Sequence, residues 1–299
     1  MPTVNENYPK QPAGNVSDLQ LKAMAIQQYE TDKQEQPSST GGHKFPTEII
    51  ELPSKGLFYP KDNPLSSGKI EMKYMTAREE DILTTPSLIK QGVVLDRLFQ
   101  SLIVGNGEGQ KINYGDLLTG DKNAILIAAR ILGYGKDYEI RIQSPSGEEQ
   151  TEQVDLSTLE HKQIDESLVT THENCFKLTL PISKRNIEIK LLTHDDEKYI
   201  DNAIKDAKKY NRLRGVDSNI TIRLRRMILS VDGNSDSAHI TDFIENYFLA
   251  RDVQYVREFM NKVQPDMDLN MIFIDQSTGD EFEVTLPIGL DFFWPGARV

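Results

Sequence analysis

The sequence holds one cysteine, Cys175. A single thiol excludes an intramolecular disulfide and any zinc site built from cysteine alone. Long apolar runs are missing too. No stretch approaches the ~18–20 residues of a membrane helix, and the N-terminus carries no apolar segment of the secretory type. These absences predict a soluble protein that folds in a reducing compartment. Positive charge is in short supply: 34 Lys and Arg stand against 46 Asp and Glu, a net charge of −12. That excludes a protein that coats nucleic acid non-specifically, because phosphate neutralisation needs a basic surface. What remains is ample for folding. An apolar fraction of 38% and a charged fraction of 27% in 299 residues support a packed core, in one large domain or two of ordinary size.

Residues 1–44 differ from the rest. Pro2, Pro9, Pro12 and Pro37 punctuate a polar stretch with Gly14, Gly41 and Gly42, which reads as an extended N-terminal arm. Within it Ser17 stands at a cap position before Leu19, Ala23, Met24, Ile26 and Tyr29, a partly apolar helical face. Two readings stand: a mobile tail, or an arm that orders by wrapping a neighbouring subunit. Leu19, Ile26 and Tyr29 are the contact residues on the second.

Beyond the arm the sequence repeats itself. Ile70-Glu71-Met72-Lys73-Tyr74-Met75-Thr76 aligns without gaps on Ile187-Glu188-Ile189-Lys190-Leu191-Leu192-Thr193. Both alternate apolar and polar as a half-buried strand does. Both end in a threonine before an acidic cluster, the pattern of a capped helix start; Thr76 and Glu79 have capping-box spacing. A helical stripe at Leu95, Leu98, Phe99, Leu102 and Ile103 is answered by Leu224, Met227, Ile228 and Val231. Asp121 and Asp252 each open a further helix, and each helix precedes a hairpin with a glycine turn, at Gly147 and Gly279. A Leu-Pro lead-in also recurs, at Leu52-Pro53 and Leu180-Pro181. The pattern predicts an α+β fold of two similar, duplicated domains, each strand–helices–β-hairpin. The boundaries fall at 45–160 and 172–299, with a polar linker at 161–171.

Motifs of catalysis are few. His194-Asp195-Asp196-Glu197 is dense in metal-ligand types, but consecutive residues at a helix start point apart, and capping accounts for them. Gly105-Asn106-Gly107-Glu108-Gly109 lacks the Gly-Lys-Ser/Thr of a phosphate loop. Cys175 has no histidine near it in sequence. No carboxylate pair, nucleophile elbow or nucleotide fingerprint can be nominated. Contact residues are easier to name. Between Lys205 and Arg226 eight basic residues face two acidic ones, a local excess of six. Lys208, Lys209, Arg212 and Arg214 sit in this stretch, which reads as a solvated face or a docking surface for an acidic partner. Near the end Phe292-Phe293-Trp294-Pro295 reads as packing on the chain's own second hairpin, or as an anchor in a neighbour.

Two long motifs carry a resemblance. Leu52-Pro53-Ser54-Lys55-Gly56-Leu57-Phe58-Tyr59-Pro60 and Met72-Lys73-Tyr74-Met75-Thr76-Ala77-Arg78-Glu79-Glu80-Asp81-Ile82-Leu83, extended by Asp116–Lys122 and Ile131–Gly135, resemble the T-even-type phage baseplate protein family, which includes a baseplate hub assembly protein. The aromatic ending is similar to that of related baseplate proteins. The resemblance implies a structural component of a contractile tail baseplate, in the hub or inner wedge region. It implies no enzyme activity and no cofactor. The implied partners are other baseplate and tail proteins in a hetero-oligomeric assembly that leaves room for homo-contacts, with no small-molecule substrate, nucleic acid or membrane. The implied location is the virion's tail baseplate, with the host cytoplasm during assembly. An assembly factor absent from the finished virion is one alternative, and a tail-associated cell-wall-degrading enzyme another. Many members of the family carry Cys-x-x-Cys-Gly in the hairpin turns, a zinc-ribbon-like knuckle. Here Gln143 and Ser146 precede Gly147, and Asp275 and Thr278 precede Gly279. Hydroxyls and amides are poor zinc ligands beside thiolates, so no metal is expected here and hydrogen bonds are expected to hold these turns.

Overall fold

The computed structural model describes residues 46–169, 173–210 and 219–293, without the side chains of Lys209 and Tyr210. Strands β1 (Thr47–Glu51), β2 (Lys69–Lys73) and β3 (Ile103–Gly105) form an antiparallel sheet in that order. Between β2 and β3 lie α1 (Ala77–Thr84), α2 (Pro86–Gln91) and α3 (Val94–Leu102). Helix α4 (Thr119–Tyr134) and the hairpin β4 (Asp137–Gln143) and β5 (Glu149–Asp155) complete the first half. In the second half β6 (Phe176–Thr179), β7 (Asn186–Ile189) and β8 (Ile228–Val231) form another antiparallel sheet, again in chain order. Helices α5 (His194–Tyr210) and α6 (Asn219–Met227) lie between β7 and β8. Then come α7 (Ser237–Asp242), α8 (Ala250–Val263) and the hairpin β9 (Asn270–Ile274) and β10 (Glu281–Thr285).

The two sheets share a local irregularity. Glu71 and Met72 pair with Gly105 and Ile103, so Val104 is bulged out. Glu188 and Ile189 pair with Ser230 and Ile228, so Leu229 is bulged out. A bulge bends the strand and re-aims its side chains.

The helix starts also correspond. At α1 the Glu79 carboxylate takes the Thr76 N–H at 2.9 Å and the Thr76 hydroxyl at 2.6 Å. Lys73 Nζ lies 2.8 Å from it, and the Ser101 hydroxyl donates to it at 2.7 Å. At α5 the Asp196 carboxylate takes the Thr193 N–H at 3.1 Å, with Lys190 Nζ at 2.7 Å and Arg226 Nε at 2.5 Å. Both carboxylates are buried. Each buried charge is thus met by a cation and by the free N–H groups of a helix start, which is what makes burial tolerable. Thr76→Ala removes half of the capping box. It should cost about 1 kcal/mol, read as a lower urea midpoint with an unchanged slope.

The core is continuous. Helix α3 supplies Leu98, Phe99 and Leu102, and α4 is buried along most of its length. One apolar cluster contains Ile70 and Met72 of β2 together with Ile187 and Ile189 of β7. Residues from Pro46 onward form a single compact unit, so the two halves share one core. The described part of the expected linker is not free either. Lys162 N–H donates to the Asp266 carbonyl at 2.9 Å and Asp165 N–H to that of Lys262 at 2.9 Å. Ile164, Leu168 and Val169 pack against the core.

Candidate partner interface

Contacts between the halves concentrate on α4. At its start Leu118 bridges Thr193, Thr119 N–H donates to the Leu192 carbonyl at 3.2 Å, and His194 N–H donates to that of Leu117 at 2.7 Å. One residue on, Gly120 lies so close to the second half that an added Cβ would sit 1.7 Å from the Pro265 carbonyl oxygen. Asn123 donates to Asp266 at 2.7 Å. At the far end Arg130 Nε donates to the Phe292 carbonyl at 3.1 Å.

Buried acids anchor the helix starts on the lead-in segments. Asp121 is fully buried and accepts the Ser54 N–H at 2.9 Å and the Tyr59 hydroxyl at 2.6 Å. Tyr59 in turn accepts the Leu118 N–H at 2.9 Å. Burial pushes the Asp121 carboxyl up to about 6, against the downward pull of these hydrogen bonds. In the second half Asp252 accepts the Ile182 and Ser183 N–H groups at 2.9 and 3.0 Å. Burial raises this carboxyl too, but the backbone donors outweigh it and hold it below its usual range. Both aspartates occupy the third helical position rather than the first.

A polar cluster lines the seam. Lys122 Nζ lies 2.8 Å from His194 Nδ1, and His194 Nε2 lies 3.6 Å from Asp96. The lysine can only donate, so Nδ1 is the acceptor and the imidazole carries its proton on Nε2, toward Asp96. Burial and Lys122 both lower the His194 pKa, which favours this neutral form. The Tyr114 hydroxyl donates to Asp96 at 3.0 Å, and burial raises its pKa well above the ordinary value. Cys175 is half-buried, and burial keeps its thiol protonated. The glycine-rich loop is tied by Asn106, whose side chain accepts the N–H groups of Glu108 and Gln110 at 3.0 and 3.1 Å.

The two hairpin turns meet each other. Asp275 accepts the Ser146 N–H at 3.1 Å, the Ser146 hydroxyl at 3.2 Å and the Ser277 N–H at 2.8 Å. Gln150 Nε2 donates to the Ile274 carbonyl at 3.0 Å, and Ser277 donates to Glu148. Burial raises the Asp275 carboxyl, yet these donors hold it at about 2. Hydrogen bonds hold the turns, as expected. The contact of one turn with the other was not foreseen. Among the described residues no group of three or more His, Cys, Asp or Glu could hold a metal ion.

The sequence-derived contact residues fare unevenly. Leu19, Ile26, Tyr29, Arg212, Arg214, Trp294 and the Lys209 side chain lie outside the described residues. Lys208 is exposed on α5. Within the basic stretch Arg223 clamps Glu197 at 2.7 and 2.8 Å, Arg226 holds Asp196, and Arg225 pairs with Glu245. Among the described residues, these three cations are matched inside the chain. Phe292 and Phe293 require a correction. Both are buried in this chain's own core, so they do not anchor a neighbour. Their ring contacts reach the first half. Phe292 meets Tyr138 with ring centres 4.7 Å apart, and Phe293 meets Tyr134 at 6.4 Å, both in the first half. A different surface was missed. On β9 Ile272 and Ile274 are 70% and 60% exposed. The Met-Ile-Phe-Ile run is apolar on both strand faces, and this is the signal that marks it.

Taken together these features define a mixed α and β protein whose buried carboxylates are bound up in internal contacts. The model of the T4 bacteriophage base plate protein family matches residues 49–294, and the chain belongs to that family. No curated protein and no solved structure matches it. Among the described residues no helix is long and apolar enough to cross a membrane.

Proposed function

We propose that the protein is a structural component of a contractile phage tail baseplate, in the hub or inner wedge region, that bridges neighbouring baseplate proteins. Family membership over residues 49–294 carries this reading. The chemistry agrees with it. Glu79, Asp121, Asp196, Asp252 and Asp275 are buried, and each is saturated by caps, lead-in segments or a turn. A general acid or base needs a carboxyl facing substrate; these face the chain itself. The matching bulges, capped carboxylates and lead-in contacts of the two halves support an origin by duplication.

Mass spectrometry of purified virions of the encoding phage tests the proposal. Peptides in stoichiometric amount are expected. Their absence would sink the structural reading and leave an assembly factor. A peptidoglycan zymogram that clears would overturn the non-enzymatic reading. The exposed isoleucines supply a sharper prediction. Ile272→Asp with Ile274→Asp should change stability by no more than about 0.5 kcal/mol each, as surface changes do. Incorporation into baseplates should nonetheless fall severalfold, read by quantitative blotting of assembled particles.

A further inference from the structure

The contact that joins the halves has a direction. The first half gives a segment, Leu117–Thr119, and the second half receives it along Leu192–His194. Each element has a counterpart that makes no such contact among the described residues. Asp121 and Asp252 hold the same helical position and bind the same kind of lead-in, so Leu117–Thr119 corresponds to Phe248–Ala250. Glu79 and Asp196 hold the same capping position, so Leu192–His194 corresponds to Met75–Ala77.

Phe248 and Met75 pack against the core, but the rest of these counterparts reaches the surface. Leu118 is 2% exposed within the seam, whereas Leu249 is 46% exposed. Ala250 and Ala77, whose N–H groups stand where Thr119 and His194 donate, are both exposed. Among the described residues the chain therefore carries one such contact and the two separate segments that would make a second. A head-to-tail contact that does not close on itself leaves such ends, and they are complementary to each other.

We infer that Phe248–Ala250 docks on Met75–Ala77 of a second copy of this chain, repeating between molecules the bridge that joins the halves within one. One difference adjusts the fit. Arg251 stands where Gly120 lies, and the end of α4 at Tyr134 and Gly135 stands where Pro265 lies. The close glycine contact is thus replaced by an exposed arginine facing a helix C-terminus, where a cation is favoured.

Proline supplies a clean test, because it is tolerated at the first helical position and removes only a free N–H. Leu249 and Thr76, the preceding residues, have the extended backbone that proline requires. Full-length protein is studied by sedimentation velocity from micromolar to submillimolar concentration. Wild type should grow from monomer to dimer and longer open chains. Ala250→Pro and Ala77→Pro should each remain monomeric, with urea midpoints no lower than wild type. An equimolar mixture of the two should recover a dimer and stop there, since each molecule keeps one working end. Wild type that stays monomeric throughout overturns the inference and leaves these ends to partners of another kind. So does association of the proline variants equal to wild type, or a mixture that stays monomeric. None of these outcomes bears on whether the protein is found in virions.

Discussion

Asp121→Ala should destabilise the fold by about 3–5 kcal/mol at pH 5, because it strips the acceptor from buried donors and leaves them unpaired. The donors are the Ser54 N–H and the Tyr59 hydroxyl, and no water-exposed route relieves either. Tyr59 also fixes the Leu118 N–H, so the loss reaches the seam between the halves. The effect should depend on pH. With a folded pKa of about 6, Asp121 holds its proton more tightly in the folded chain than in the unfolded one, where the value lies near 4. A raised carboxyl contributes stability that is fully present below the unfolded pKa and lost as pH rises through the folded one. The gap between wild type and Asp121→Ala should therefore narrow by up to about 3 kcal/mol between pH 4 and pH 7. Urea titrations across that range measure it. A gap that stays constant would refute the raised pKa, and a gap near zero at pH 5 would refute the clamp. Asp252→Ala should cost less, about 1–3 kcal/mol, because one of its donors belongs to the exposed Ile182.

Gly120→Ala is the second large effect. In an ordinary helix the change would stabilise by up to about 1 kcal/mol. Here the new methyl would stand 1.7 Å from the Pro265 carbonyl oxygen and 2.6 Å from its carbon. Both are backbone atoms, so neither rotates away, and the halves must part. Overpacking of this kind should win, with a net loss of about 3 kcal/mol or more. The His194 ring should report the parting, since it lies across the same seam from Lys122 and Asp96. Its pKa, lowered by burial and by Lys122, should rise toward the ordinary value, visible by proton NMR titration. Gly133→Ala is the control. Its methyl would meet the Met75 sulfur at 2.3 Å, the movable end of a flexible side chain, so the cost should stay within about 1 kcal/mol. Equal stability of Gly120→Ala and wild type would show that the halves do not press together there.

What could be read from the residues alone follows the range of the interaction. The Thr76–Glu79 capping box is local, three residues apart, and stands as the spacing predicts. The strands that alternate around Ile70 and Ile187 are local too. The recurring Leu-Pro lead-ins were visible, but their bonds to Asp121 and Asp252 span about 70 residues and leave no periodic trace. Phe292 and Phe293 show the same limit. Large aromatics serve cores and interfaces equally well, and only the fold reveals that their neighbours are Tyr138 and Tyr134. The density of arginine in the basic stretch was legible, but its pairing was not, because Glu197 and Asp196 belong to a different helix from Arg223 and Arg226.

The position of α4 bears on the order in which the chain is made. The helix is complete once residue 134 has been synthesised, yet its start is covered by Leu192 and Pro265 and its end by Phe292. Those covers are synthesised later, Leu192 first and Phe292 last. Until then the first half presents an apolar helix covered only on the side that faces its own strand and helices, the kind of surface on which nascent chains aggregate. Native packing of α4 is complete only once Phe292 has been made, so the first half cannot finish folding before the second.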